Sequence, residues 1–237
     1  MKLSLNSNQL KLTAIILMML DHYISVFYTG NLETAILLRI PGRIVAPIMC
    51  FFIAEGYYKT SNIKKYILRL FIFTLISQLP YILYFRYNLF ENINIFYNLT
   101  LGLICLTTIK SNKLKLLYKI LIIIICMLIS FFGDYGITVI CWILSFGLFN
   151  KQKRQKFIIF TLVTLLTIIL PIYLRFGFDI TNSILISFYI SQLCFLISIP
   201  FINMYNGERG KKSKPISLFF YFFYPVHLII LYLFTLV

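Results

Sequence analysis

Leu12-Thr13-Ala14-Ile15-Ile16-Leu17-Met18-Met19-Leu20 runs apolar, breaks at Asp21-His22, and resumes through Tyr23-Ile24-Ser25-Val26-Phe27. A spanning helix needs about 20 predominantly apolar residues, and the stretch from Lys11 to Tyr28 nearly fills that length. A cleavable leader would end its apolar core on small residues; a carboxylate and an imidazole stand there instead. The segment, flanked by Lys2 and Lys11, therefore reads as a first transmembrane helix. A charged side chain at the centre of such a helix costs roughly 2.5–3.5 kcal/mol on insertion scales. Asp21 and His22 are adjacent, so the cost falls twice within one turn. His227, the second of the two histidines, lies in another apolar run at Tyr224-Pro225-Val226-His227. Such groups point to chemistry in the membrane plane.

The rest of the chain is built in the same way. Of its 237 residues, 60% are hydrophobic and 12% charged, where soluble domains carry about 45–50% and about 25%. Mean hydropathy is +0.90. These values predict an all-α polytopic membrane protein with about nine transmembrane helices, one membrane domain filling residues 1–237. The segments fall near 11–28, 35–58, 64–85, 94–109, 114–132, 134–149, 156–174, 181–204 and 216–236. The second is interrupted by Arg39, Pro41, Gly42, Arg43 and Pro47.

Charge sets the orientation. Lys59, Lys64, Lys65 and Arg69 follow the second segment, and Lys110, Lys113, Lys115 and Lys119 follow the fourth. Lys151, Lys153, Arg154 and Lys156 follow the sixth, and Arg209, Lys211, Lys212 and Lys214 the eighth. The intervening loops hold the mixed set Glu33, Arg86, Glu91, Asp134, Arg175 and Asp179. By the positive-inside rule the N-terminus is cytoplasmic and, with nine spans, the C-terminus is outside. The same distribution assigns the net charge of +15 to topology and argues against a nucleic-acid partner. The five cysteines, Cys50, Cys105, Cys126, Cys141 and Cys194, show no metal spacing and read as small hydrophobes. No metal site is expected, because no H-x-x-x-H or H-x-x-E-H spacing exists.

Counting from Lys11 at 1.5 Å per residue puts His22 roughly 15 Å above the cytoplasmic edge. His227 reaches a similar depth, and Arg43 comes close to it from the other side. A site of His22, Asp21, Arg43, Arg39 and His227 is the expectation, with Asp21 paired to Arg39 or Arg43. Glu55 near its helix end can reach Lys59. Tyr57, Tyr58, Tyr81 and Tyr84 read as interfacial belt. An imidazole here suits general base catalysis, since it titrates near neutrality and burial favours its neutral form.

Several stretches, taken in order, resemble the TraX family. They are Leu10-Lys11-Leu12 through Leu20-Asp21-His22, Arg39-Ile40-Pro41-Gly42-Arg43 with Pro47, and Phe52 to Tyr58 around Glu55-Gly56. Lys64-Lys65-Tyr66 with Arg69-Leu70 and Ser77-Gln78-Leu79-Pro80-Tyr81 follow. Asn94-Ile95-Phe96-Tyr97 to Gly102, Asp134-Tyr135-Gly136 and Phe223-Tyr224-Pro225-Val226-His227 complete the set. The name-giving member is associated with N-acetylation of a conjugative pilin. TraX proteins in turn resemble the acyltransferase-3-like membrane acyltransferases, in which a basic residue precedes an essential first-helix His by ten intervening positions. Lys11 and His22 have that spacing. A second basic motif, R-x-x-R, is matched loosely by Lys65 and Arg69, which stand one residue too far apart.

The resemblance implies an acetyltransferase of the bacterial cytoplasmic membrane that uses acetyl-CoA as donor substrate. His22 would act as general base or, less directly, as acetyl carrier. Asp21, Arg39, Arg43 and His227 would shape the site, and Lys11, Lys65 and Arg69 would meet the coenzyme phosphates. The acceptor would be a peptide, glycan or lipid-linked molecule. Two other readings stand beside it: a transporter or channel relaying protons through Asp21, His22 and His227, and a non-catalytic membrane assembly factor.

Overall fold

Asparagine starts helix after helix. The side chains of Asn6, Asn31, Asn62, Asn94 and Asn182 each accept a hydrogen bond from a backbone N–H in the first turn of the helix that follows. In a chain this apolar the first N–H groups of a helix need such partners, because lipid offers none. The computed structural model describes residues 4–88, 92–179, 181–211 and 213–236. Lys2, Glu91 and Lys212, which entered the charge reading, lie outside the described residues.

The described chain is helical, with two isolated β-bridges and no named strand. Helix α1 is Ser7–Phe27 and α2 is Leu32–Leu38. A 3₁₀ turn, Ile40–Ile44, leads into α3, Val45–Lys59. Then come α4, Ile63–Phe85; α5, Ile95–Lys110; α6, Leu116–Ile129; and α7, Ile137–Leu148. Helix α8, Lys153–Thr164, passes through a π-helical stretch, Leu165–Ile169, into α9, Leu170–Phe176. Pro171 at the head of α9 lacks the N–H that an α-helix would use there. Helix α10, Ser183–Leu193, a 3₁₀ turn, Cys194–Ile197, and α11, Ser198–Asn203, precede α12, Lys214–Phe234.

Each of the nine apolar segments thus becomes a helix or a string of helices. Five are long and apolar enough to cross a membrane: Ser7–Phe27, Ile40–Lys59, Ile63–Phe85, Lys153–Phe176 and Ser183–Asn203. Shorter apolar helices occupy Ile95–Lys110, Leu116–Phe132, Ile137–Leu148 and Leu218–Phe234. Large apolar side chains such as Leu75, Leu79, Leu116, Leu128, Leu166 and Leu174 face outward. Such a surface marks a membrane protein.

The chain forms two compact units. Residues 1–49 and 161–223 make the first. Here α1 packs on the 3₁₀ turn Ile40–Ile44, and α2 packs along α10. Leu5 bridges to Tyr205, and the Ser7 N–H donates to the Glu208 carbonyl at 2.9 Å, so the start of α1 and the loop before α12 share one end. At another point Ser183 and Ser187 Oγ donate to Glu33 at 3.0 and 3.4 Å, joining the starts of α2 and α10.

Residues 50–160 and 224–237 make the second unit. Helix α5 is its centre, packed most heavily on α7 and α4. Leu99, Leu103, Cys105 and Leu106 are fully buried. A Cβ on Gly102 would lie 2.4 Å from Ile143 Cδ1, and one on Gly147 would lie 2.6 Å from Leu106. The missing side chains let α5 and α7 approach closely, as small residues do in membrane bundles. Tyr81 and Tyr84 belong to this core, each 2% exposed, which corrects their reading as interfacial belt. Tyr58, half in that reading, donates its hydroxyl to the Gly147 carbonyl. Glu55 pairs with Lys59 at 2.9 Å, as its position near the helix end predicts.

Candidate active site

Asp21, His22, Arg39 and Arg43 are all in the first unit. Helix α1 begins at Ser7 rather than Lys11, so His22 stands about 22 Å along it, beyond the 15 Å that the sequence suggests. Gly42 fixes the level of the 3₁₀ turn against α1. A Cβ there would meet Asp21 Cβ at 2.4 Å and Cγ at 2.6 Å. With the turn held this close, Arg39 grips Asp21 in a two-pronged pair, Nε to Oδ1 at 3.0 Å and Nη2 to Oδ2 at 3.1 Å. The carboxylate side chain is 15% exposed. Of the two pairings left open by the sequence, Asp21 takes Arg39.

Arg43 turns elsewhere. Its Nε donates to Ser191 Oγ at 3.1 Å, and the guanidinium lies 5.7 Å from the Phe195 ring centroid. No carboxylate among the described residues comes within ion-pairing distance of it. Ser191 was not singled out in the sequence, yet a signal was available. Ser183, Ser187 and Ser191 recur every fourth residue along α10, the spacing of one helix face. Those serines meet Glu33 and Arg43. Between α2 and α10 lies a cavity of about 500 Å³ bearing both Arg39 and Arg43 on an otherwise mostly apolar wall.

His22 is half-buried, and its carbonyl accepts from Ser25 Oγ at 2.7 Å. Lys11, half-buried, places its ammonium 5.5 Å over the Phe220 ring. Lys65 and Arg69 belong to the second unit, exposed one turn apart on α4, with Arg69 stacked 5.5 Å from the Tyr66 ring. His227 is also in the second unit, 4% exposed and 5.6 Å from the Tyr224 ring.

A polar knot that the sequence reading missed surrounds the start of α5. Asn94 Nδ2 donates to the Thr74 carbonyl and to Gln78 Oε1, both at 2.8 Å. Gln78 Nε2 donates to the Asn92 carbonyl at 2.9 Å. Asn98 Nδ2 reaches the carbonyls of Ser130 and Asp134. The Tyr81 hydroxyl donates to Asp134 Oδ1 at 2.7 Å. Asp134 sits in the turn between α6 and α7, where burial pushes its carboxyl up to about 6 and the Tyr81 hydrogen bond pulls the other way. Gln78 with Tyr81, and Asn94 with Asn98, stand three or four residues apart in apolar helices. That spacing was the sequence signal.

Fold and site together define a polytopic helical membrane protein with paired and unpaired charges held inside it. The sequence model of the TraX protein family matches residues 6–235, and the chain belongs to that family. It is also 28% identical over 232 residues to the probable fimbrial assembly protein FimC, serogroup H1, of Dichelobacter nodosus, covering 94% of this chain and 93% of that protein. No solved structure matches.

Proposed function

We propose that the protein is an acetyltransferase of the bacterial cytoplasmic membrane. It moves acetyl from cytoplasmic acetyl-CoA to an acceptor amine or hydroxyl on a pilin-like peptide, a glycan or a lipid-linked molecule. The observation that carries this reading is the arrangement beside His22: Asp21 neutralised by Arg39 in a two-pronged pair, and Arg43 with no carboxylate partner. Membership of the TraX family over nearly the whole chain supports it.

In the reaction, His22 takes the proton from the acceptor N–H or O–H. The freed lone pair attacks the thioester carbonyl carbon, the C–S bond breaks, and the imidazolium returns its proton to the departing sulfur. Arg43 stabilises the negative charge that gathers on the carbonyl oxygen, where such donors are worth several kcal/mol away from water. Arg39 holds Asp21 and keeps a second positive charge close. Lys11, and Lys65 with Arg69, are assigned to the coenzyme phosphates because the charge pattern puts the ends of their helices inside. His227 has a shaping role.

A labelled acetyl-transfer assay on purified variants tests this. His22→Ala should lower transfer by about 10²–10⁴-fold, with coenzyme affinity and membrane abundance little changed, and His227→Ala should be milder. Full transfer by His22→Ala would overturn the mechanism. The printed name of the Dichelobacter relative favours a second reading, a non-catalytic assembly factor. In that case deletion should leave every fimbrial or pilin subunit at its acetylated or unacetylated mass while assembly fails.

A further inference from the structure

The cavity between α2 and α10 combines two features that are costly apart. Its wall is mostly apolar, with Leu32 and Ile36 from α2, Leu185 and Phe188 from α10, and Phe176 from the end of α9. On that wall stands Arg43, half-buried, whose charge no described carboxylate neutralises. Arg39 shares the wall but is already paired with Asp21. The Arg43 Nε is used by Ser191, and neither Nη nitrogen has a hydrogen-bond partner among the described residues. An uncompensated guanidinium at membrane depth is expensive, and a counter-ion relieves it.

A bare anion would satisfy Arg43 and leave the apolar wall empty, whereas a plain hydrocarbon would do the reverse. A molecule with one anionic head and an apolar chain suits both. The volume of about 500 Å³ falls within the roughly 300–1,000 Å³ of small-molecule sites. Leu32, Phe176 and Ile184 line the cavity while being 60%, 55% and 45% exposed, so its wall continues onto the lipid-facing surface. A phosphodiester, unlike a carboxyl at a membrane surface, stays ionised throughout the physiological range and presents the geometry that a guanidinium fork prefers.

We propose that this cavity binds an anionic phospholipid of the bilayer, its phosphate on the Arg43 Nη groups and one acyl chain between α2 and α10. The site is argued from charge and shape alone and holds whether or not the protein transfers acetyl.

Native mass spectrometry of purified protein titrated with phosphatidylglycerol or with phosphatidylcholine of the same chains is the test. One phosphatidylglycerol should bind at least about tenfold more tightly than phosphatidylcholine, as charge-assisted hydrogen bonds require. Arg43→Gln should remove that preference. Ala35→Phe, which fills the cavity and leaves Arg43 intact, should weaken binding of phosphatidylglycerol too. Arg154→Gln, in a basic cluster of the other unit, should leave it unchanged. Equal binding of the two lipids, or unchanged binding in both Arg43→Gln and Ala35→Phe, overturns the proposal. So does displacement by inorganic phosphate at the lipid's own concentration, which would identify an anion site instead. The readout is lipid mass, so its failure leaves the transferase reading standing.

Discussion

Asp134 illustrates how a residue's surroundings outrun its place in the sequence. Read along the chain it is one charge in a short loop; in the fold its carboxyl lies under the Tyr81 hydroxyl, with Asn98 on its own carbonyl. Burial pushes the carboxyl up to about 6 from an ordinary value near 4. The folded protein therefore holds this proton more tightly than the unfolded chain does. That contribution to stability is complete below about pH 4, is lost between about 4 and 6, and is absent above. Thermal unfolding of the wild type in detergent should show this loss on raising the pH, and Asp134→Asn should lack it. Tyr81→Phe should shift the midpoint upward, because the hydroxyl that favours the carboxylate is gone. Parallel pH curves for wild type and Asp134→Asn would rule out the assignment. Asp21 was easier to foresee, because an acid in an apolar run needs a cation and only Arg39 and Arg43 stand in the next segment. Which one takes it depends on side-chain reach across a packed turn, and composition carries no trace of that.

Among the elements, the 3₁₀ turn Ile40–Ile44 does the most to set the site. Hydropathy treats residues 35–58 as one interrupted segment; the chain breaks it into α2, the turn and α3. Pro41 begins the turn and Gly42 lets it lie on α1, with Asp21 atoms where a Cβ would be. Those atoms belong to the base of the Asp21 side chain, which cannot swing aside without moving α1. Gly42→Ala should therefore cost about 1–3 kcal/mol, the usual range for overpacking, and should spread the turn from α1. Denaturant unfolding measures the first effect. The second is read by comparing Gly42→Ala with Gly42→Ala/Asp21→Ala, where truncating the carboxylate should restore part of the loss. No loss in Gly42→Ala would mean that the close approach is not maintained. Existence of the nine helical segments was legible, since apolar runs of that length have few other outcomes in lipid. Their internal breaks were not, because a 3₁₀ turn and a π-helical stretch have the same hydropathy as the helices they join.

At the scale of the molecule, sidedness is the property that the acetyl-CoA reading most depends on, since a charged coenzyme made inside must be met inside. Two kinds of observation bear on it independently. The basic clusters alternate loop by loop along the chain. Within each unit, hydrogen bonds join loops that this alternation puts on the same side. The start of α1 is bonded to the loop before α12 through Leu5, Tyr205 and Glu208, both on the basic side. The loop before α5 is bonded to the turn before α7, where Ile93 N–H donates to the Phe132 carbonyl at 2.7 Å and Asp134 N–H to the Ile93 carbonyl at 3.0 Å. Both belong to the mixed, outer set. A nine-span reading with the N-terminus inside satisfies the charges and the bonds at once, even though α5, α6 and α7 are short. Some of the basic residues have local tasks as well: Lys119 Nζ donates to the Ile109 carbonyl near the end of α5, and Lys156 is buried over the Phe51 and Phe157 rings. Those tasks explain single residues and leave the alternation unexplained. Reporters fused at Asn112 and Gln152 should therefore read cytoplasmic, and reporters at Asn92 and Gly177 extracytoplasmic. A cysteine introduced at Tyr135, which is 39% exposed, should react with a membrane-impermeant thiol reagent added from outside. Labelling at Tyr135 from the inside, or a swapped pair of reporters, would break the nine-span topology and take the inward-facing coenzyme assignment of Lys11, Lys65 and Arg69 with it.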